Sequence, residues 1–195
     1  MNTDSPFIIL VAGGTASGKS TIVQRFVQET GAAHLGHDRY YFDVSEPRGH
    51  DFDHPDALDT DRLIENLSRL KSGLSVNLPV YDFASHIRTG CTELMPPSSV
   101  VVVEGILVLS DPRLATLGDL KVFVDAPESI RLERRIQRDV AERGRTESSV
   151  LSQYAATVKP NHDRFVEPSK AKASLVLDGT APIQKSVRQL ISALP

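Results

Sequence analysis

Cysteine is almost missing from this chain. Cys91 is the only one in 195 residues, so no internal disulfide can form and a thiolate zinc site is excluded. A basic excess is missing too. Lys and Arg total 22 against 25 Asp and Glu, a formal net charge of −3, so the chain lacks the electrostatic footprint of a nucleic-acid-binding domain. Long apolar runs are absent. "FIILVAG" at residues 7–13 falls far short of the roughly 20 residues that a membrane helix needs. The polar "MNTDSP" before it has none of the basic character that opens a secretory signal. Internal repeats and low-complexity tracts are absent as well. The expectation is a cytoplasmic protein with neither a membrane nor a nucleic-acid partner. What is present is ordinary for a globular domain: 40% hydrophobic and 24% charged residues. A chain of this length buries about two-thirds of its unfolded surface without help from metal or disulfide.

The patterning alternates strands with helices. "FIILVAGG" reads as a strand buried on both faces, as in a parallel sheet. A helix follows over residues 19–30, with Ile22, Val23, Phe26 and Val27 on one side and Gly31 stopping it. "AAHLGHD" is a short second strand, and residues 39–55 form a loop. Leu63, Ile64, Leu67 and Leu70 mark the next helix, ended by Gly73. Residues 74–97 read as a β-hairpin insertion, with strands "SVNLPVYDF" and "CTELM" around "ASHIRTG". "VVVVEGILVL", residues 100–109, is a second buried strand and "LKVFVDA" a third. Asp125 is placed to cap a helix that enters through Pro127 and Glu128 and runs to Gly144. A further helix covers residues 147–165, then the strand "ASLVLDG" and a last helix over 183–194. The fold class is therefore α/β, a parallel sheet with helices on both faces.

Between the first strand and the first helix stands "GGTASGKS", which fits the phosphate-binding loop pattern in both spacing and context. Gly13, Gly14 and Gly18 let the backbone turn tightly, so that successive N–H groups around Thr15, Ala16 and Ser17 point at phosphate oxygens. The helix N-terminus, through Thr21, favours an anion. Lys19 reaches the β- and γ-phosphates, and the Ser20 hydroxyl suits Mg²⁺. The chain is thus expected to bind a nucleoside triphosphate. It carries no Asn-Lys-x-Asp guanine motif of the GTPases. Its second buried strand has a lone acid, Glu104, where a motor ATPase carries an Asp-Glu pair. A single acid can hold Mg²⁺ through water without activating a water nucleophile, which favours transfer to a bound acceptor.

One stretch invites a different reading. "GHDFDHPDALD", residues 49–59, holds four aspartates and two histidines. Pro55 and Asp56 suit the start of a short helical turn, and Asp59 suits a helix N-cap. His54 braces the turn, and Asp51 has no role legible in sequence. A zinc pair of His50 and His54 has no ligand-spacing pattern behind it. Phe52 and Asp53 are left over.

In the order "GGTASGKS", "HDRYY", "FDHPDALD", "PVYDFASHIR", "VVEGIL", "RRIQRDVAERGR" and "SQY", the chain resembles the uridine kinases (uridine–cytidine kinases) over residues 7–176. Phosphoribulokinase and bacterial pantothenate kinase share the wider architecture. The resemblance implies a five-stranded parallel sheet and a homotetramer. It also implies phosphorylation of the 5′-hydroxyl of uridine, and of cytidine, by ATP or GTP with Mg²⁺. The remaining partners would be small molecules only.

The same resemblance distributes roles. Asp38 matches the catalytic aspartate, which takes or orients the 5′-hydroxyl proton, although a strand-end aspartate is otherwise an ordinary Asx turn. Ser20, Asp38 and Glu104 would hold the metal. Tyr41, Phe52, Asp53, Tyr81, Phe83, His86 and Gln153 match the nucleoside pocket. Aromatic faces there stack a pyrimidine, Asp53 reads ribose hydroxyls, and a neutral His86 can donate or accept at the base. Arg135 pairs with ribose or Asp53, and Arg138 joins Lys19 and Asp38 as a catalytic group on the transferring phosphate. Arg143 and Arg145 flank Gly144 in a lid at about residues 138–148. On the helix that carries them, Leu132, Ile136 and Val140 are expected as the buried stripe. Arg131 and Arg134 are expected on a solvated face. His162 has no assigned role, and Cys91 is a hairpin residue without chemistry. Three rival readings remain: another small-molecule P-loop kinase, a nucleotide-binding regulatory module, and a nucleic-acid-dependent ATPase.

Overall fold

The computed structural model describes residues 5–46 and 51–195. Its centre is a sheet of five strands: β1 (Phe7–Ala12), β2 (Ala33–Gly36), β5 (Val100–Glu104), β6 (Leu120–Asp125) and β7 (Leu175–Asp178), in the order β2-β5-β1-β6-β7. Every pairing is parallel. Alternation along β1 explains the two cores. Ile8 and Leu10 face a layer with Leu63, Leu67 and Leu70 of α2 (Thr60–Lys71). Ile9 and Val11 face Val23 and Phe26 of α1 (Lys19–Thr30) and Val187 and Leu190 of α7 (Ile183–Ser192). A strand buried on both faces has no polar side, which is why these strands read as continuous apolar runs.

The register brings the functional segments together. Glu104, at the end of β5, lies beside Val11 of β1 and Gly36 of β2. Asp125 and Asp178 end β6 and β7 side by side. The carboxyl ends of the strands therefore form one edge, where open α/β sheets bind ligands. The antiparallel hairpin of β3 (Val76–Asp82) and β4 (Ile87–Met95) is a separate two-stranded sheet.

Helix ends follow their caps. Gly31 terminates α1 at φ 71°, its N–H bonded to the Val27 carbonyl. The Asp59 carboxylate accepts the Arg62 N–H at 3.2 Å and starts α2. His54 Nδ1 accepts from the Asp56 N–H at 3.2 Å and caps the short turn Pro55–Ala57. His50 lies outside the described residues.

Several expectations change. Strand β5 stops at Glu104; the apolar continuation through Leu107, Val108 and Leu109 is a buried turn, not strand. A short helix, α3 (Pro112–Leu117), follows, capped by Asp111. Strand β4 starts at Ile87, four residues earlier than the "CTELM" stretch suggests, because "IRTG" is paired rather than looped. Asp125 does not cap α4 (Glu128–Arg143); its carboxylate binds Lys170 Nζ at 2.6 Å. The helix over 147–165 is α5 (Glu147–Gln153), two wide π turns (Tyr154–Val158 and His162–Val166), and α6 (Lys159–Asn161) between them.

The largest change concerns α4. Its buried residues are Arg131, Arg135 and Asp139, while Val140 is 44% exposed and Leu132 and Ile136 are half-buried. The inward face of α4 meets the phosphate loop and the lid rather than the sheet core, so polar groups occupy it. Among the described residues, no helix is long and apolar enough to cross a membrane.

Candidate active site

The phosphate loop wraps from β1 into α1. Ser17 N–H bonds the Gly14 carbonyl at 3.1 Å, and Gly18 stands at the head of α1 with φ +96°, a left-handed conformation that favours glycine. Ala16 also takes a positive φ, 57°, so the loop is held in a conformation that side chains usually avoid. No acidic residue sits in the first turn of α1, so its dipole faces the loop unopposed. Beside Lys19, Ser20 and Thr21 lies a cleft of about 370 Å³, closed on its far side by Arg134, Arg138, Gly179, Ala181 and Ile183.

Helix α4 supports this loop from behind. Arg135 Nη1 donates to Thr15 Oγ1 at 3.0 Å, and Arg134 Nη1 donates to the Gly179 carbonyl at 2.9 Å. Arg131 is 6% exposed. Its Nε donates to the Ala126 carbonyl and its Nη2 to His162 Nε2 at 3.1 Å. A methyl group on Gly14 would stand 2.7 Å from Arg131 Nη1 and 2.9 Å from His162 Cε1, so a larger residue there would displace one of these side chains. Arg131 is thus buried, Arg134 is half-buried, and His162 has a place under the loop. Burial and the adjacent Arg131 push the His162 imidazole below its ordinary pKa, consistent with a neutral ring accepting from the guanidinium.

Asp38 lies in a 3₁₀ turn (His37–Tyr40) directly after β2. Burial raises its carboxyl pKa, opposed by the charge of Lys19 and assisted by Glu104, with Arg143 and Arg138 lowering it. Those four neighbours come from the phosphate loop, β5 and α4, so distant segments meet around one carboxylate. Glu104 is different. Burial pushes it up, but His34, Lys19 and Ser20 carry it below its ordinary value. His34 Nε2 stands 3.5 Å from Glu104 Oε1, while Glu104 Oε2 is buried with no hydrogen-bond partner among the described residues.

A chain of rings runs through Tyr41, which feels the charge of Asp38. His86 packs on Phe52 with centroids 4.9 Å apart, Phe52 meets Tyr41 at 5.0 Å, Tyr41 meets Tyr81 at 5.8 Å, and Tyr81 meets Phe83 at 5.1 Å. Tyr41 Oη donates to the Phe52 carbonyl at 2.8 Å. Its pKa lies well above ordinary, through burial and then the charges of Asp38 and Asp53, so all three are near one another. Tyr81 Oη is buried without a hydrogen-bond partner among the described residues. His86 has φ +57° at the hairpin tip, a strained conformation for a non-glycine residue. Phe83, at the end of this chain, is 57% exposed. Asp53 is 9% exposed, and its pKa rises to about 6, through burial first, with Arg135 opposing and Asp51 and Asp38 adding. Arg135 itself bonds Thr15 and Gln153 and lies 3.6 Å from Asp139; it faces Asp53 by charge.

Two organising residues, Arg88 and Asp139, lie within the stretches "PVYDFASHIR" and "RRIQRDVAERGR" but have no role assigned from sequence. Arg88 of β4 donates from Nε to the Tyr41 carbonyl and from Nη2 to the Tyr40 carbonyl, both at 2.8 Å, and from Nη1 to Asp59 at 3.1 Å. It ties the hairpin to the loop that carries Asp38 and Tyr41. Asp139, fully buried, gathers the lid. Its carboxylate lies 2.8 Å from Arg138 Nη2, 3.4 Å from Arg143 Nη1, 3.5 Å from Arg145 Nη1 and 3.6 Å from Arg135 Nε. Arg145 Nη1 also donates to Gln153 Oε1. Four cations on one anion leave a surplus of positive charge beside the phosphate loop. The clue in sequence is an aspartate one turn from arginines at i±4, which otherwise reads as a surface pair.

The chain is similar to known proteins over nearly all its length. The family model for phosphoribulokinase / uridine kinase matches residues 8–184. A uridine kinase of Chloroflexus aggregans (strain MD-66 / DSM 9485) is 47% identical over 183 residues, covering 90% of this chain and 88% of that protein. A uridine kinase of Lactococcus lactis subsp. cremoris (strain MG1363) is 45% identical over 179 residues, covering 87% and 86%. The solved phosphoribulokinase from Rhodobacter spheroides superposes with a TM-score of 0.61 at 19% identity, over 93% of this chain and 75% of that one, a likeness of fold. With a phosphate loop, a β-hairpin and relatives of this identity over nearly all its length, the chain belongs to the phosphoribulokinase / uridine kinase family.

Proposed function

We propose that the protein is a pyrimidine ribonucleoside kinase, which transfers the γ-phosphate of ATP or GTP to the 5′-hydroxyl of uridine and cytidine to give UMP and CMP. The observation that carries this reading is the position of Asp38. The Asp38 carboxyl feels the charge of Lys19, and the Tyr41 hydroxyl feels the charges of Asp38 and Asp53, so in this reading the donor phosphate and the acceptor hydroxyl meet near Asp38.

In this reading the nucleoside base stacks among Tyr41, Phe52 and Tyr81, with His86 at its edge and Asp53 on the ribose. The 5′-oxygen attacks the γ-phosphorus as the bond to the β–γ bridging oxygen breaks. The hydroxyl proton passes to the Asp38 carboxylate, which also orients the attacking oxygen. Transfer of this kind is loose, so much of the gain is orientation and charge. Lys19 and the arginines held by Asp139 face the transferring phosphoryl group. Closing the lid of residues 138–148 keeps water from competing with the nucleoside.

The residues also fit Mg²⁺. The orphaned buried oxygen of Glu104 and the neighbouring Ser20 hydroxyl offer hard oxygen ligands beside Lys19, with Asp38 adjacent. When bound, the ion would neutralise phosphate charge. A homotetramer, a cytoplasmic location and a role in pyrimidine salvage belong to the same proposal.

The test is a coupled assay with ATP and a panel of acceptors: uridine, cytidine, their deoxy forms and pantothenate. Turnover with the two ribonucleosides and little with the others supports the reading. Turnover with pantothenate alone would replace it with the rival small-molecule kinase.

A further inference from the structure

We infer that Asn161 is a positioning residue for the ribose-binding carboxylate Asp53, acting through Asp51. The inference rests on the nucleoside-kinase reading above.

Asn161 belongs to α6, between the two π turns, and is 8% exposed. A buried side-chain amide needs partners. Its Nδ2 donates to Asp51 Oδ2 at 2.7 Å, across 110 residues of sequence. The other oxygen of that carboxylate, Oδ1, accepts the Asp53 N–H at 3.1 Å. The Asp51 carbonyl accepts the His54 N–H at 3.0 Å. The side chain and main chain of Asp51 therefore shape the turn on which Asp53 is carried. Four residues further along the same helical segment, Phe165 meets His54 edge-on with ring centroids 4.9 Å apart. One segment thus holds the turn at both ends, by a charge-assisted hydrogen bond and by a ring contact.

The chemical type at position 161 matters. A neutral amide orients the Asp51 carboxylate and leaves its charge in place. An aspartate would set two carboxylates against each other. A residue without a donor would leave Asp51 free to rotate, and the Asp53 N–H would lose its acceptor. A hydrogen bond to a charged group is among the stronger ones, so its loss is felt where the turn's geometry is read, at the ribose. The Asn161 side chain bonds the Asp51 carboxylate, whereas its neighbour His162 is the one that meets the phosphate loop, so the ATP KM is the control that separates the two.

The experiment measures KM for uridine, KM for ATP and the uridine/2′-deoxyuridine ratio of kcat/KM in four variants: Asn161→Asp, Asn161→Ala, Asp53→Asn, and the exchange Asp51→Asn with Asn161→Asp. The exchange rebuilds the bond with donor and acceptor reversed, while the amide oxygen introduced at position 51 still accepts the Asp53 N–H. Asn161→Asp is expected to raise the uridine KM roughly tenfold or more and to lower the ribose preference, with the ATP KM within about twofold. Asn161→Ala moves the same parameters in the same direction and carries the test should Asn161→Asp fail to fold. The exchange restores most of both. If Asp53→Asn changes the ribose preference while neither single Asn161 variant does, the inference is overturned. Failure of the exchange to restore what Asn161→Asp lost would overturn it too. If Asp53→Asn itself leaves the ribose preference unchanged, the reading of Asp53 beneath the inference fails instead.

Discussion

Asp139 is completely buried, and Arg138 closes on its carboxylate at 2.8 Å. Arg143, Arg145 and Arg135 lie on the same two oxygens at 3.4–3.6 Å. Replacing it with asparagine keeps the shape and removes the charge that draws four guanidiniums together. The arms of Arg138 and Arg143 reach solvent, so the stability cost is moderate, about 1–3 kcal/mol. The kinetic cost is larger, because the lid arginines lose their common anchor: kcat is expected to fall roughly tenfold or more. Thermal unfolding and steady-state rates on Asp139→Asn measure both. A variant with native kcat would show that the cluster is scaffolding alone.

Asp38→Asn separates binding from chemistry. The amide keeps the size of the side chain and cannot take a proton. Nucleoside affinity should stay within a few-fold while kcat falls by about 10²–10⁴. Calorimetry for binding and initial rates for turnover report the two separately. Unchanged turnover would remove Asp38 from the mechanism.

Asp53 makes both activity and stability depend on pH. Burial, with Asp51 and Asp38, lifts its carboxyl to about 6 against the partial opposition of Arg135. Below that value the protonated group loses acceptor strength, so the uridine KM should rise as pH falls through 6. Stability runs the other way. A folded-state pKa above the ordinary 3.8 means the folded protein holds the proton more tightly. That contribution is fully present below about 4 and is lost as pH rises through about 6. Asp53→Asn should therefore unfold at a higher temperature than wild type at pH 8, with a gap that narrows toward pH 4. Equal melting temperatures throughout would contradict the cost assigned to the buried charge.

His86 lies against Phe52 at 4.9 Å, at the tip of the hairpin. A neutral imidazole donates or accepts according to its tautomer, so it can serve the carbonyl of uracil and the amine of cytosine. His86→Gln keeps both a donor and an acceptor, whereas His86→Lys only donates and His86→Glu, ionised, only accepts. The last two are expected to shift the uridine/cytidine ratio of kcat/KM in opposite directions. A ratio that stays fixed in all three variants would show that the base is read elsewhere.

Much of the sheet was legible because burial on both faces leaves apolar runs, and the phosphate loop was legible because its chemistry requires fixed spacing. The α1 boundaries, the Asp59 cap and the hairpin followed from glycines, caps and alternation. The run past Glu104 misled because a buried turn is as apolar as a strand: Leu107, Val108 and Leu109 fill the core without pairing. Helix α4 misled for the opposite reason. Its apolar period through Leu132, Ile136 and Val140 is real, but the face that is buried packs on a polar loop. Arg131, Arg135 and Asp139 are therefore inside, and the apolar stripe is only partly covered. Arg88, His162 and the Asp51–Asn161 bond depend on partners 29 to 110 residues away. A spacing rule reads neighbours along one element and gives no sign of such pairs.

The central claim is that a phosphoryl group passes from a nucleoside triphosphate to the 5′-oxygen of a pyrimidine ribonucleoside. The most direct measurement is the fate of label from γ-labelled ATP incubated with Mg²⁺, uridine and the purified protein. The account predicts label in 5′-UMP, none in a parallel reaction with 5′-deoxyuridine, and near-complete loss with Asp38→Asn. Label released only as orthophosphate, or transferred equally well in the Asp38→Asn variant, would contradict it.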